Sequence, residues 1–289
     1  MKVLVSGGTG LLGQEVLRLL RESGAHELRC FVRSTSPIER LAGLDLAYGD
    51  ATDVGSLERA LQGMYAFVHI AGIEYTPQVL EAMSRAGAER LLMISSTNAH
   101  SRFEFCSAPR LRMEALLPGS GLSWTIVRPS MIYGSELDHN MHKLLRFLSY
   151  SPVYPVFGSG KNLWQPVYYE DLARGVVEAL MREEAVGQAY DLPGARALPY
   201  DQLVWVAAQA LGRKTRVVWV PAGPVRRLLE VAEAARIPLP IKSEQVLRLS
   251  EDKAYSYEKA KEELDYAPRT FEEGIALEVE RLRKIGMIG

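Results

Sequence analysis

Residues 6–13 read Ser-Gly-Gly-Thr-Gly-Leu-Leu-Gly, between an apolar run, Lys2–Ser6, and a stretch, Leu11–Arg21, whose apolar residues recur at helical spacing. A glycine cluster carries information when it joins a strand to a helix. The tight turn needs residues without a Cβ. A glycine at the helix start lets an anion reach backbone N–H groups and the positive helix end. Gly13, inside the helix, permits close packing on the strand. A glycine-rich turn with no ligand is the plain alternative. The spacing is GxxGxxG rather than GxGxxG, and no Gly-Lys-Ser/Thr follows, which excludes a mononucleotide P-loop. Gly7, Thr9, Gly10, Leu11, Leu12 and Gly13 are therefore candidate contacts for a dinucleotide pyrophosphate.

Downstream, short apolar runs alternate with helical periodicity. Leu28–Val32, Leu44–Tyr48, Ala66–Ile70, Leu91–Ile94 and Trp124–Val127 read as strands. Val54–Leu61, Pro77–Arg85 and a segment near Leu111–Leu117 read as helices. Such βα repeats predict an α/β fold: a Rossmann-type parallel sheet with helices on both faces, plus a small mixed C-terminal substrate lobe. Residues 1–135 are expected to form the dinucleotide-binding core. Within 136–289, about 154–192 is expected to return to the core, leaving about 136–153 and 193–289 as the lobe. The later pattern is a helix over Tyr200–Leu211, a strand over Thr215–Val220, a helix after Pro221 and a last helix near Phe271–Arg283.

Thirty-four Lys and Arg against 35 Asp and Glu leave a net charge of −1, and no basic stripe is interleaved with aromatics. Nucleic acid is not an expected partner. Two cysteines, Cys30 and Cys106, cannot build a disulfide framework or a multi-cysteine metal site. The chain opens on Met1-Lys2 directly before the first strand, so no signal peptide is expected. No apolar run has the length of a membrane span. A cytoplasmic protein is expected.

The exit of the second strand bears on the cofactor. NAD sites place a carboxylate there for the ribose hydroxyls, whereas NADP sites place arginine near the extra phosphate. Here it reads Phe31-Val32-Arg33-Ser34, with no acid before Glu39. Arg33 and Ser34 are candidate donors to a 2′-phosphate, the alternative being a solvated strand exit. NADP(H) is preferred over NAD(H), which stays open.

Several further motifs follow in order: Gly49–Asp53 (GDATD), Ala66–Gly72 (AFVHIAG), Ile94–Thr97 (ISST), Arg128–Gly134 (RPSMIYG), Phe157–Lys161 (FGSGK) and Gln165–Ala173 (QPVYYEDLA). With the glycine loop they make the chain resemble the extended or atypical short-chain dehydrogenase/reductases. It is most similar to the NAD-dependent epimerase/dehydratase-like group that includes the 39-kDa accessory subunit of respiratory complex I. The resemblance implies that Asp50 accepts from the adenine amino group with Ala51 beside the ring. It implies that Ala71 and Gly72 line the ribose and pyrophosphate, and that Pro129 to Ile132 lie beside the nicotinamide. Asp50 also has the plain reading of a turn former.

The catalytic positions depart from the family. Active members carry Tyr-x-x-x-Lys on the helix before the Arg-Pro strand, where the lysine lowers the tyrosine pKa and the tyrosine moves a proton. The family glutamate four residues past that lysine corresponds to Glu114, which puts Arg110 in the lysine position and Cys106 in the tyrosine position. Thr97 keeps the serine/threonine position. Arg110 retains donors for ribose, but a thiol reaches far less than a phenol. His100 is a further candidate base, against a plain loop histidine.

Two functions follow. One is reduction or isomerisation of a small carbonyl or sugar-nucleotide-like substrate by a chain lacking Tyr-x-x-x-Lys. The other is a catalytically inactive cofactor-binding structural, sensing or assembly protein, with a protein partner or homodimer. His139, Asn140 and Trp164 are candidate substrate-side residues. His139 and His142 lack a third clustered ligand, so no metal is expected. His69 is expected to be a tucked sheet-end histidine, and Asp171 an N-cap.

Overall fold

Strand β1 (Lys2–Ser6) is buried from Val3 onward, as a central parallel strand covered on both faces must be. Val3 and Val5 join one apolar cluster and Leu4 the other, because successive residues of an extended chain point to opposite faces. The computed structural model describes residues 1–24, 27–235, 237 and 242–289. The chain continues through α1 (Leu11–Glu22), β2 (Glu27–Val32), β3 (Asp45–Tyr48), α2 (Val54–Leu61), β4 (Ala66–His69), α3 (Thr76–Ala86) and β5 (Arg90–Ile94). Next come α4 (Glu104–Glu114), β6 (Ser123–Pro129), β7 (Ile132–Tyr133), α5 (Met141–Tyr150), β8 (Val153–Phe157), β9 (Leu163–Trp164) and β10 (Val167–Tyr168). Helix α6 (Tyr169–Met181) leads to β11 (Gln188–Leu192), β12 (Leu198–Pro199), α7 (Tyr200–Ala210) and β13 (Arg216–Val220). The last elements are α8 (Ala222–Ala234), α9 (Ser243–Arg248), α10 (Glu258–Leu264) and α11 (Phe271–Lys284).

Seven strands in the order β11-β6-β5-β4-β1-β2-β3 form one sheet in which every pair is parallel. This is the Rossmann-type fold expected from the sequence. On one face α1, α6 and α10 cover it through Leu12, Val16, Leu20, Leu172, Val176 and Leu264. On the other α2 and α3 cover it through Leu57, Leu61, Val79 and Met83. The chain moves outward from β1 to β2 and β3 on one side, then crosses to β4, β5 and β6 on the other. That reversal opens a crevice at the strands' carboxyl ends.

The described residues form two compact units. The first comprises Met1–Ile132, Val167–Pro193 and Ser256–Pro268, and the second Tyr133–Pro166, Gly194–Tyr255 and Arg269–Gly289. Re-entry was expected near residue 154. It occurs at Val167, because β8 pairs in parallel with β13 and β9 pairs antiparallel with β12, both inside the second unit. Ser256–Pro268, expected in the lobe, lies in the first unit, where Ala260 and Leu264 of α10 join its core. The second unit also packs α11 on α7. A reciprocal Thr270–Glu273 capping box starts α11.

Two local expectations need correction. The helix placed near Leu111–Leu117 begins at Glu104 and runs through Pro109. Asp171 is not an N-cap: α6 is capped at Tyr168, and Asp171 sits in the first turn, buried, accepting from Arg174. An acid there still complements the helix dipole.

Leu91 has no exposed surface and packs in the cluster beneath α2 and α3. Leu91→Ala is expected to destabilise the protein by about 2–5 kcal/mol, read from urea unfolding. An unchanged midpoint would contradict this packing.

Candidate cofactor and catalytic site

The glycine loop divides into positions that folding demands and one that it does not. Gly7 has φ +73°, and a Cβ there would lie 3.1 Å from Ile70 Cβ. At Gly8 a Cβ would meet Cys30 Sγ at 2.4 Å and Leu17 Cδ1 at 2.8 Å. At Gly13 it would stand 2.2 Å from the Gly7 carbonyl oxygen, so α1 can approach β1 only with glycine there. Gly10 differs: the Gly7 oxygen, at 3.3 Å, is the one protein atom a Cβ would meet within 4 Å. Its φ of −82° suits any residue.

Gly10 is also the N-cap of α1, where no side chain caps the helix and no acid stands in the first turn. Leu11, Leu12 and Gly13 thus begin a helix whose N–H groups and positive end open beside an uncrowded glycine. The Gly10 N–H donates to the Gly7 carbonyl at 3.0 Å, and Gln14 Nε2 donates to the Thr9 carbonyl at 2.8 Å, which hold the loop's shape. This arrangement fits a diphosphate.

The exit of β4 is tied to β1. His69 is wholly buried, and burial pushes its imidazole down to about 4, so it is neutral at physiological pH. A carbonyl only accepts, so His69 Nε2–H donates to Gly72 O at 2.9 Å, and Nδ1 accepts from the Ser6 hydroxyl at 2.9 Å. Ser6 Oγ in turn accepts from the N–H groups of Ile70 and Ala71, at 3.2 and 3.4 Å. The network sets the path of Ile70–Gly72 beside the glycine loop, with Gly72 at φ +140°.

At the other end Arg33 and Ser34 are exposed beyond β2, and the Arg33 N–H donates to Ser36 Oγ at 3.2 Å. Asp50 is a turn former: its Oδ1 accepts from the Thr52 hydroxyl at 2.7 Å and the Thr52 N–H at 2.9 Å. Those bonds, with the nearby charge of Arg33, hold its carboxyl below the usual range. Ala51 packs against the second apolar cluster. Sequence reasoning missed Arg40, in the 3-10 turn Glu39–Leu41. Its Nη1 stands 3.5 Å from Gln14 Oε1, and so beside the residue that braces the glycine loop. The available signal was Leu41, an apolar anchor that fixes this turn under Gly8.

The residues expected at the catalytic positions lie on or near α4. Cys106 is 4% exposed. Arg110 Nη1 donates to the Cys106 carbonyl at 2.6 Å, folding back on its own helix. The Thr97 hydroxyl, also buried, donates to the Pro129 carbonyl at 3.3 Å. Ile132 is half-buried at the edge of the first unit. Glu114 is buried, accepting from the Ser95 hydroxyl at 2.6 Å and from Arg128 Nε at 3.0 Å. Arg128 Nη1 is 3.7 Å from Asp191, and both Asp191 oxygens are 2.9 Å from His100 Nε2. The hydrogen bond to Asp191 raises the His100 pKa above its ordinary value.

In the second unit His139 and Asn140 are exposed. Asp138 is buried and accepts from the N–H groups of Asn140 and Met141 at 2.8 Å each, starting α5. His142 Nδ1 is 3.2 Å from Asp138, and no cluster of three metal-ligating side chains occurs among the described residues. The half-buried Trp164 packs at a tilt against Tyr200, ring centroids 5.3 Å apart, with Lys253 Nζ 3.7 Å from its ring centre. Glu278, wholly buried near Asp138, was not foreseen; burial pushes its carboxyl up to about 10.

An open helix start behind a glycine turn, on the central strand of a doubly wound sheet, is a dinucleotide-binding arrangement. Residues 7–143 match the NAD(P)H-binding family. An NAD(P)H azoreductase of Xenophilus azovorans is 26% identical to this chain over 224 residues, covering 75% of it and 76% of the azoreductase. Mouse NADH dehydrogenase [ubiquinone] 1 alpha subcomplex subunit 9 is 28% identical over 215 residues, 66% of this chain and 56% of that one. An uncharacterised protein of Mycobacterium tuberculosis is 27% identical over 242 residues, 81% of this chain. The chain spans about a quarter of that relative's length, 26%.

Among solved structures, gox2253 superposes with a TM-score of 0.83 at 25% identity, covering 99% of both chains. The UDP-glucose 4-epimerase of Thermotoga maritima does so with a TM-score of 0.78 at 19% identity, also over 99% of each. The likeness to the epimerase is one of fold, and the similarity to the complex I subunit is one of sequence.

Gly13→Ala is expected to abolish saturable NADPH binding, measured by quenching of tryptophan fluorescence, because its Cβ would displace the Gly7 carbonyl. Wild-type affinity in this variant would contradict the loop geometry.

Proposed function

We propose that this chain binds NADP(H) and reduces a small carbonyl-type substrate without a Tyr-x-x-x-Lys pair. The observation that carries the reading is the uncapped start of α1 behind Gly10, the one loop glycine that the protein's own packing does not require. In this reading Gly7, Thr9 and Gly10 to Gly13 hold the pyrophosphate, and Ala71 and Gly72 flank it. Asp50 and Ala51 receive the adenine, with Asp50 offering the oxygen that Thr52 does not occupy. Pro129, Ile132, Thr97 and Arg110 lie along the nicotinamide half. When bound, the dinucleotide supplies a hydride donor or acceptor.

The preference for the phosphorylated cofactor rests on charge. Arg33 is exposed at the β2 exit, and Arg40 reaches toward α1 from the neighbouring turn. A guanidinium makes charge-assisted bonds to a phosphate that ribose hydroxyls alone cannot repay. Asp50 stands near Arg33, but its carboxylate is already engaged by Thr52.

A second reading is favoured by the burial of Cys106 and by the turn of Arg110 onto its own helix. With no acid at position 106, the chain is then a cofactor-binding structural or assembly protein. The complex I subunit among its relatives supports a protein partner in that case.

Parallel titrations with NADPH and NADH, followed by NADPH oxidation against aldehydes, quinones and azo compounds, separate the readings. NADPH is expected to bind at least about tenfold tighter than NADH, the equivalent of one charge-assisted hydrogen bond. Arg33→Ser is expected to remove that preference while sparing NADH affinity. Equal affinities in the wild type would defeat the NADP assignment. Tight binding without turnover on any acceptor would favour the structural reading.

A further inference from the structure

We propose that His100, held by Asp191, donates the proton in carbonyl reduction by this chain, in place of the tyrosine that position 106 lacks. The inference rests on the hydride-transfer reading above and names the acid that reading leaves unassigned.

Topology places the pair at the reacting end of the sheet. Strands β2 and β3 flank β1 on one side, and β4, β5, β6 and β11 on the other. The glycine loop follows β1, and Arg33 and Asp50 follow β2 and β3, so the adenosine half lies over that side. The nicotinamide half of a bound dinucleotide would then lie over the carboxyl ends of β4, β5 and β6. His100 ends the 3-10 turn Thr97–His100, which follows β5. Asp191 lies near the carboxyl end of β11, in register with Arg128 of β6.

The pair is built to hold a proton. Nε2 of His100 is 2.9 Å from both oxygens of Asp191. A carboxylate accepts only, so Nε2 carries a hydrogen, and in the imidazolium Nδ1 carries the second, the one that transfers. The hydrogen bond and charge of Asp191 on β11 favour the cation, and so does Glu114 on α4. Burial opposes it, as does Arg128 on β6, whose charge is offset by its bond to Glu114. The balance raises the pKa above its ordinary value, and the protonated form is lost as pH climbs through the folded value. The His100 side chain is 42% exposed, whereas Cys106 is enclosed.

In the reaction, His100 gives its Nδ1 proton to the carbonyl oxygen as a hydride from the reduced nicotinamide bonds to the carbonyl carbon. The C=O π bond breaks, the carbonyl is reduced to an alcohol and the nicotinamide is oxidised. The neutral imidazole regains a proton from water. Asp191 is the positioning residue.

The test pairs a titration with kinetics. In protein labelled at histidine, the resonance missing from His100→Gln identifies His100. Its titration is expected above the ordinary value of about 6.5, and Asp191→Asn is expected to bring it down. With NADPH and 9,10-phenanthrenequinone or an aromatic aldehyde, kcat/KM is expected to fall as pH rises through the same value. Asp191→Asn is expected to move that fall to lower pH. His100→Gln is expected to lower kcat about 100-fold and flatten the profile, with NADPH affinity unchanged. A wild-type rate and pH profile in His100→Gln would overturn the proposal, as would a His100 titration at or below the ordinary value. NADPH binding with no reduction of these acceptors would also overturn it while leaving the dinucleotide reading standing. No NADPH binding would remove both.

Discussion

The carbonyl oxygen of Gly7 lies where a side chain at position 13 would begin, 2.2 Å from the site of its Cβ. That contact fixes how closely α1 enters behind β1, and much of the crevice follows from it. A helix held farther back would not present its first N–H groups at the carboxyl end of the central strand. Cys30 supports the loop from below, filling the space beside Gly8; burial pushes its thiol up to about 11, so it remains protonated. The His69 network then fastens the β4 exit to the end of β1 through Ser6. A buried neutral imidazole serves this better than a charged one, because its two ring nitrogens play opposite roles, one donating and one accepting.

A second constraint governs the catalytic half. Glu114 and Arg128 form an ion pair in which the glutamate is buried and the arginine mostly so. Such a pair adds little net stability, yet removing one partner strands the other charge. It therefore keeps α4 in a definite register against β5 and β6, with Ser95 as a third member. Cys106 and Arg110 are carried in that register on the same helix.

The parts of this architecture set by short-range patterns were legible in the sequence. The strands of the main sheet show as continuous apolar runs because both faces are covered, and the glycine turn shows because few residues tolerate its geometry. What escaped depends on long-range pairing or on polar residues. Strand β8 resembles a strand returning to the main sheet, but β13, more than fifty residues later, captures it. Helix α10 is almost entirely charged, and only Ala260 and Leu264 are buried, so no apolar period announces it. The helix expected near Leu111–Leu117 begins earlier, at Glu104, and tolerates Pro109 within its span. Arg40 and the His100–Asp191 pair are side chains brought near their partners by the fold, and no local spacing encodes that proximity. Asp171 looked like a cap because its residue type favours one, but the helix gains a turn before it.

These features also differ in what they say about function. Gly7, Gly8 and Gly13 are required by packing or by backbone conformation, the His69 network orders a strand exit, and Glu114 with Arg128 positions a helix. Folding alone accounts for each. Gly10 is different, since a small side chain there would meet almost nothing. A glycine N-cap gives up roughly a few tenths of a kcal/mol against a capping side chain. The exposed guanidinium of Arg33 and the partly exposed His100–Asp191 pair add little stability, because solvent screens them. The features that folding does not explain lie along the carboxyl edge of one sheet, from the β2 exit past β1 to β11. The sheet's own stability asks for none of them there, and it is on these features that the proposed dinucleotide site draws.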